Sequence, residues 1–218
     1  GASAGALHGL IRVGHAARSL ERRNSGPRAA ELAAALASWA ADYAELPVAP
    51  EHDPPRLGAA EALASLPLLP LGQRRNGGSI VEALAQLAGH EPFARAFHWF
   101  AVSDARAAAG ELAEVFARVF LANVESPLSA IVFTHAITGT AAAGHLLPFV
   151  GEREGRLLVR HVWHAGCALY AAYAVRGPSG GPVGAATATP GDLVARALAH
   201  GDEHVVKLTE AVLALALE

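Results

Sequence analysis

Apolar and small residues recur every three or four positions along most of this chain, which is the spacing of helices with one buried face. The pattern is clearest in seven segments, which we predict as helices: 7–17, 32–43, 79–87, 111–124, 126–147, 156–175 and 189–216, the last with a bend at Gly201. No run alternates cleanly between apolar and polar residues, so strands are not predicted. The pattern indicates an all-α protein.

Several of these helix starts also carry capping sequences. Ser79 is followed three residues later by Glu82, which predicts a capping box. Ser126 precedes Pro127, which is an N-cap with proline at the first helical position, and Thr189 precedes a proline in the same way. These local signals predict where three of the helices begin.

Stretches rich in Gly and Pro separate the helices, and we predict loops over residues 47–55, 66–78 and 176–191. The last is long for a compact domain, which is typical of a lid or a disordered cover. With 218 residues, 52% of them hydrophobic, the chain can fill one core. We predict a single helical-bundle-like domain of about eight helices over residues 1–218. Because the chain holds no Met, we expect a processed product or a fragment that is incomplete at its N-terminus.

Charge and cysteine content narrow the class of protein. The net charge of -3 favours neither nucleic acid nor an anionic membrane surface as a partner. Uninterrupted apolar stretches such as residues 211–217 are too short to span a bilayer. The single cysteine, Cys167, excludes an intramolecular disulfide, and we recognise no signal-peptide pattern. We therefore expect a cytoplasmic protein.

The only lysine, Lys207, stands against sixteen arginines. A buried lysine can lose its proton and act as a base, a nucleophile or, when carboxylated by CO2, an oxygen ligand, whereas arginine stays protonated. His204 lies three residues earlier on a helical face that Leu208 and Ala211 extend, so both side chains are predicted to point towards a core. A lysine there needs a carboxylate partner, a neutral form or carboxylation. A solvated lysine with its stem on apolar surface is the alternative.

Eleven histidines are the second chemical anomaly, because several fall on apolar faces of different predicted helices. His135 lies in the apolar segment 131–139, where hydrogen bonds with Thr134 or Thr138 are the structural alternative to a ligand role. His8 lies at the start of the first helix, which tolerates a surface histidine. Facing helices commonly build metal sites from inward side chains, and imidazole with a carboxylated lysine suits iron or another first-row metal.

The remaining histidines have plainer explanations. His161 and His164 suit either half of a metal site or a polar face, and helix capping is sufficient for His145. His200 lies four residues before His204, with Gly201 between them. No role is assigned to four others: His15, His52, His90 and His98.

Familiar catalytic motifs do not occur. The sequence has no P-loop, no dinucleotide-binding glycine motif, no Cys-x-x-Cys, no His-Glu-x-x-His and no Gly-x-Ser-x-Gly. The repeated Glu-x-x-His of di-iron bundles is also missing, so a single metal fits better than a pair.

Four segments, ordered along nearly the whole chain, together resemble the questin oxidase-like family. They are Leu7-His8-Gly9-Leu10-Ile11-Arg12, Leu36-Ala37-Ser38-Trp39-Ala40 with Tyr43 and Leu46-Pro47, Phe133-Thr134-His135-Ala136-Ile137-Thr138, and His204-Val205-Val206-Lys207-Leu208. That family occurs in fungal aromatic polyketide pathways and widely in bacteria. It is associated with oxidative cleavage of anthraquinone-type rings, described as Baeyer–Villiger-like oxidation or as non-haem iron dioxygenation.

The resemblance implies an Fe(II) centre held by histidines and a carboxylated lysine, and the matching positions are His8, His135, His204 and Lys207. It further implies an oxidoreductase, a metal-dependent mono- or dioxygenase that uses O2 on a small aromatic polyketide or quinone-type substrate. A requirement for NADPH is left open. Our own hypothesis adds Arg12, one turn after His8, as the anchor of an anionic substrate group.

The chain departs from the family at its front. Family members carry a further helical stretch before the His8 motif, with an additional histidine that completes the ligand set. That stretch is absent here. Either that stretch was removed, or it is a separate piece, or another histidine such as His164 takes its place. The partners we expect are this missing N-terminal segment or a second copy of the chain in a homo-oligomer.

Other functions stay open at this point. Zinc in the same ligands would give a hydrolase, and loss of activity would give a non-enzymatic helical module. A flavin-dependent Baeyer–Villiger enzyme has no flavin-binding motif to support it. Six aromatic residues either line a flat pocket or belong to the core: Trp39, Tyr43, Phe97, Trp99, Phe133 and Trp163.

Overall fold

A computed structural model of the chain describes residues 1–51, 56–180 and 187–215. These residues form ten α-helices: α1 (His8–Arg22), α2 (Gly26–Ala41), α3 (Ala59–Ala64), α4 (Ile80–Ala85), α5 (Glu91–Ala96), α6 (Ala105–Asn123), α7 (Pro127–Leu146), α8 (Glu152–Tyr173), α9 (Pro190–His200) and α10 (Glu203–Leu215). Short 3-10 helices cover Ala4–Leu7, Leu71–Gln73, Gln86–Gly89 and Leu147–Phe149. An isolated bridge pairs Leu57 with Phe100. The prediction of an all-α protein is confirmed.

The predicted number of helices was too low. The helices α3 and α5 have six residues each, which is too short for a helical period to stand out in the sequence. The last predicted helix is two helices rather than one bent helix. Gly201 adopts a left-handed conformation (φ 76°) that ends α9, and α10 begins at Glu203. Residue 216, the predicted end, lies outside the described residues.

The predicted caps are confirmed. Ser79 and Glu82 form a reciprocal capping box at the start of α4, and Thr189 forms one with Asp192 at α9. At α7 the box joins Ser126 to Ser129, a hydroxyl in the place of the usual carboxylate.

The helix α7 is the centre of the bundle and packs against α1, α6, α8 and α10. Every residue of α7 from 132 to 143 is buried. Small residues allow α1 to lie close to α7. A Cβ atom on Gly14 of α1 would lie 2.7 Å from the carbonyl oxygen of Ala142 on α7. Gly139 likewise leaves space for the side chain of Leu7. The close contact between α1 and α7 positions the residues that form the site.

One helix, Pro127–Phe149, is long and apolar enough to cross a membrane by length and composition. Histidine and threonine residues interrupt its apolar sequence, so the segment does not count as an unbroken apolar stretch. In the fold, 67% of its most apolar window is buried among the other helices. A central core helix has the same composition, so this property does not decide where the protein resides.

The aromatic residues divide between core and surface. Phe133 and Trp163 are almost completely buried, so both belong to the core. Trp39 and Tyr43 instead line an apolar cavity of about 410 Å³ beside Leu158 and His161. A single flat pocket built from all six aromatic residues is therefore not formed.

Candidate metal centre

Three histidines from three helices meet beside the middle of α7. His8 is the first residue of α1, His204 is the second residue of α10, and His135 lies in the middle of α7. One nitrogen of each imidazole lies within 4.8 Å of the other two. The Nε2 atoms of His8 and His135 are 2.7 Å apart. We call His8, His135 and His204 the three-histidine cluster.

A backbone hydrogen bond sets the orientation of His135. Its Nδ1–H donates to the carbonyl oxygen of Ile131, 2.7 Å away, one turn earlier in α7. The Nε2 atom of neutral His135 therefore carries a lone pair, and Nε2–H of His8 is the donor between the two rings. The threonine contacts considered from the sequence are not formed, since the hydroxyl of Thr138 donates to the carbonyl of Thr134.

Asp202 performs the same task for His204. Its Oδ1 atom accepts from the backbone N–H of His204 at 2.8 Å and from the ring Nδ1–H at 3.2 Å. The Nε2 atom is left as the ligand atom of this ring. Histidine ligands commonly donate their second N–H to a carboxylate or a carbonyl in this way. Sequence reasoning missed Asp202, although an aspartate at a helix start is a recognisable capping signal.

The backbone before His8 turns through an unusual conformation. Gly5, Ala6 and Leu7 have φ values of 54°, 56° and 70°, in the left-handed region that favours glycine. Each non-glycine residue there costs about 1–2 kcal/mol. Complete burial of Leu7 against Gly139 offsets this cost. The strained turn directs α1 so that its first residue, His8, lies over α7.

The environment of His8 and His135 favours their neutral imidazole forms. Burial lowers the pKa of His135 to about 4. Burial also lowers the pKa of His8, and the charge of Lys207 adds to this effect. A metal ion binds the deprotonated imidazole, so both rings are ready to ligate at neutral pH.

Lys207 lies beside the cluster but does not point into a core. Its side chain is 31% exposed, and its Nζ donates to Oε2 of Glu203 at 2.7 Å. The prediction that Lys207 faces the core is therefore wrong. Of the three states that the sequence left open, the structure contains the one with a carboxylate partner, and this hydrogen bond lowers the pKa of Glu203. A glutamate four residues before a lysine on a helix was the available sequence signal.

Arg12 lies on the wall of a surface cleft of about 460 Å³ that also includes His8 and Lys207. Its guanidinium pairs with the carboxylate of Glu31 on α2, with contacts of 2.8 and 3.2 Å. Both side chains are about half exposed. Arg12 is thus close to the mouth of the site and already has an anionic partner.

The histidine considered as a substitute ligand lies elsewhere. The ring of His164 stacks on Phe93, with centroids 4.3 Å apart, and donates from Nε2 to the carbonyl of Phe93. Burial lowers its pKa to about 3. His161 is also outside the cluster, and His200 is exposed on α9. His52 lies outside the described residues.

The cluster fits a single transition-metal ion. Metal–nitrogen bonds of about 2.0–2.1 Å place two ligand nitrogens on one ion roughly 3–3.5 Å apart. The observed separations of 2.7 Å and up to 4.8 Å bracket this range, so small side-chain movements are sufficient. An all-imidazole set suits iron, zinc or copper.

Comparison of the chain with protein-family models, with curated proteins and with solved structures gives no match.

Proposed function

We propose that this chain is a mononuclear metal enzyme, and specifically a non-haem iron oxygenase for an aromatic polyketide or quinone-type substrate. The convergence of three imidazoles from three helices carries the metal part of the proposal. The oxidative part rests on the resemblance of the segments around His8, His135, His204 and Lys207 to the questin oxidase-like family. The cluster lies between the buried His135 and the surface cleft that includes His8, so a small substrate can reach it from solvent.

Each residue has a defined task in this proposal. The three-histidine cluster holds the ion, and Asp202 and the Ile131 carbonyl fix two of its rings. When bound, Fe(II) would supply the redox chemistry that O2 requires. The first turns of α1 and α10 both reach the cluster, and their partial positive charge favours an anionic group there. A phenolate or enolate of the substrate fits this position, with Arg12 at the mouth of the cleft as its anchor, which requires the Arg12 guanidinium to exchange or share its pairing with Glu31.

Lys207 would complete the ligand set as a carbamate. The ammonium group must first lose a proton to solvent; the neutral amine nitrogen then forms a bond to the carbon of CO2, one C–O π bond opens to an oxygen anion, and a second proton leaves Nζ. Oε2 of Glu203, 2.7 Å from Nζ, is placed to accept that proton. The carbamate would then offer oxygen ligands next to three imidazoles, a set suited to iron. Labelled bicarbonate should therefore label wild-type protein and not Lys207→Arg.

Zinc hydrolysis is the second candidate. Three imidazoles and an open position form the ligand set of a well-known class of catalytic zinc sites. The cluster matches that set without any contribution from Lys207. Metal identity and O2 consumption separate the two candidates.

The decisive experiment measures metal content by plasma mass spectrometry for wild type and His135→Ala, purified identically. We expect about one iron per wild-type chain, none in the variant, and O2 uptake with hydroxyanthraquinones. Stoichiometric zinc without O2 uptake would instead favour the hydrolase. If neither protein holds metal after reconstitution with Fe(II) or Zn(II), the enzyme proposal is wrong and the chain is a helical module without this centre.

A further inference from the structure

A second polar layer lies below the three-histidine cluster and joins the same three helices. Arg18 of α1 donates to Nε2 of His145 on α7 at 3.2 Å and to Nδ1 of His15 at 3.3 Å. It also forms an ion pair with Glu210 of α10. One guanidinium therefore links α1, α7 and α10, the helices that supply His8, His135 and His204.

The second layer follows the cluster along all three helices, and on α7 His145 follows His135 by ten residues. His15 follows His8 by seven residues, and Glu210 follows His204 by six. At 1.5 Å per residue both intervals correspond to roughly 10 Å along the helix axis. The three helices therefore run in one direction from the cluster to the layer around Arg18. Any change in the second layer is carried to the first by rigid helices.

The second layer is partly enclosed, which makes its contacts specific. The side chain of Arg18 is 21% exposed and that of Glu210 is 33% exposed. Burial lowers the pKa of His145 to about 4, and Arg18 adds to this effect. His15 is shifted in the same direction for the same reasons. Both rings are therefore neutral and accept hydrogen bonds from Arg18, while Glu210 balances its charge.

The helix α10 depends on this layer because its other anchor is apolar. It packs on α7 and α9 through Ala211, which is fully buried, and through the partly buried Leu208 and Leu215. Apolar contacts are not directional, so they resist rotation about the helix axis less than a directed ion pair does. A rotation of about 20° moves a side-chain atom 5–6 Å from the axis by roughly 2 Å. Ligand atoms must be placed within about 0.2 Å of their positions, so such a rotation would remove His204 from the cluster.

We propose that Arg18 is a positioning residue, which holds Glu210 and thereby fixes the rotation of α10 so that His204 meets the other two imidazoles. This inference rests on the proposed function, since it assumes that the three-histidine cluster binds a metal. It assigns no contact with substrate or metal to Arg18. It explains why a partly buried arginine is placed between two neutral imidazoles that do not belong to the cluster.

The test is a titration of metal-free protein with Co(II) or Zn(II), followed by calorimetry and, for Co(II), by its absorption spectrum. Arg18→Met should bind the metal about 10–100-fold more weakly than wild type, as is typical when the groups that orient ligands are lost. Glu210→Gln should weaken binding in the same direction. The double variant should be no worse than the weaker single variant, because both substitutions break one linkage.

Hydrogen exchange provides a readout that does not depend on metal. In metal-free Arg18→Met the amides of α10 should exchange faster than in wild type, with those of α6 unchanged. The matched control is Arg28→Met, since Arg28 of α2 also bonds the end of α1, at the carbonyl of Ser19, without contacting α10. That variant should keep wild-type metal affinity.

The outcomes separate the two proposals. If wild type binds metal and both Arg18→Met and Glu210→Gln bind it equally well, the positioning role is wrong and the metal centre stands. If wild type binds no metal, the metal centre itself is wrong and the positioning role falls with it. If Arg18→Met does not fold, the metal affinities of Arg18→Lys and Glu210→Gln test the positioning role instead. Wild-type metal affinity in both of these variants would overturn the inference.

Discussion

Among the residues that the structure describes, two groups of three histidines can be compared, and the ligand nitrogens converge in one of them. In the three-histidine cluster, the ligand nitrogens converge within 4.8 Å. The second group, His98, His161 and His164, surrounds the ring of Phe97, with ring centroids 5.1, 5.1 and 5.3 Å from it. An aromatic ring thus occupies the position that an ion would need. We call these three residues the aromatic histidine group.

The two groups also differ in which ring nitrogens their hydrogen bonds leave free. In the aromatic histidine group, Nε2 of His98 donates to the carbonyl of Ala49 at 2.9 Å, and His164 donates to the carbonyl of Phe93. These bonds hold the rings against backbone. In the cluster, the outer nitrogens of His135 and His204 are bound, and this leaves Nε2 of each ring to face its neighbours. Burial of a histidine therefore does not identify a ligand, whereas convergence of its free nitrogen with others does.

The largest expected effect separates the two groups directly. His135→Ala should abolish stoichiometric metal binding, because it removes the central ligand and the acceptor for His8. His164→Ala should leave metal affinity unchanged and lower the free energy of unfolding by about 1–3 kcal/mol, since it leaves a buried carbonyl unpaired and removes a stacked ring. Calorimetric metal titration and urea denaturation of both variants measure this difference. Loss of metal binding in a folded His164→Ala protein would contradict the distinction.

A smaller effect is expected from the residue that orients His204. Asp202→Asn should weaken metal binding about 10–100-fold, because the amide is a poorer partner for the ring Nδ1–H. Asp192→Asn is the matched control, as Asp192 is a carboxylate in the first turn of α9 that bonds only within its own capping box. Titration with Co(II) should show a change in the first variant alone. Equal affinities for both variants would mean that Asp202 serves only as a helix cap.

The smallest effect concerns the pH dependence of stability. His164 has a pKa of about 3 in the folded protein against 6.5 as its ordinary value. The unfolded chain therefore binds more protons between these values, so the free energy of unfolding is highest above pH 6.5 and falls as the pH drops below it. Each such histidine contributes at most about 1.4 kcal/mol per pH unit.

Urea denaturation of metal-free protein across this pH range measures the dependence. His164→Phe keeps a stacking ring without a titratable nitrogen, so its stability should fall less steeply than that of wild type as the pH decreases. Parallel curves for the two proteins would show that His164 does not titrate as described.

The sequence alone determined the helical class and the capped starts of α4, α7 and α9, whereas the three histidines that meet were named as one set only through the family resemblance. Periodicity and capping act over a few residues, so they can be read along the chain. The break at Gly201 was also marked, although as a bend rather than as the end of a helix. Short helices such as α3 were missed, because six residues contain less than two turns.

Tertiary structure decided the rest. The ring of His164 is enclosed because Phe97 lies against it, whereas the ring of His135 keeps a free nitrogen because the Ile131 carbonyl binds the other one. Sequence spacing does not show which residues and backbone carbonyls lie opposite each ring. The exposure of Lys207 was decided in the same way, by how α10 lies on α7. The physical reason is that helix periodicity fixes which residues share a face, whereas the packing of helices far apart in the chain determines what that face meets.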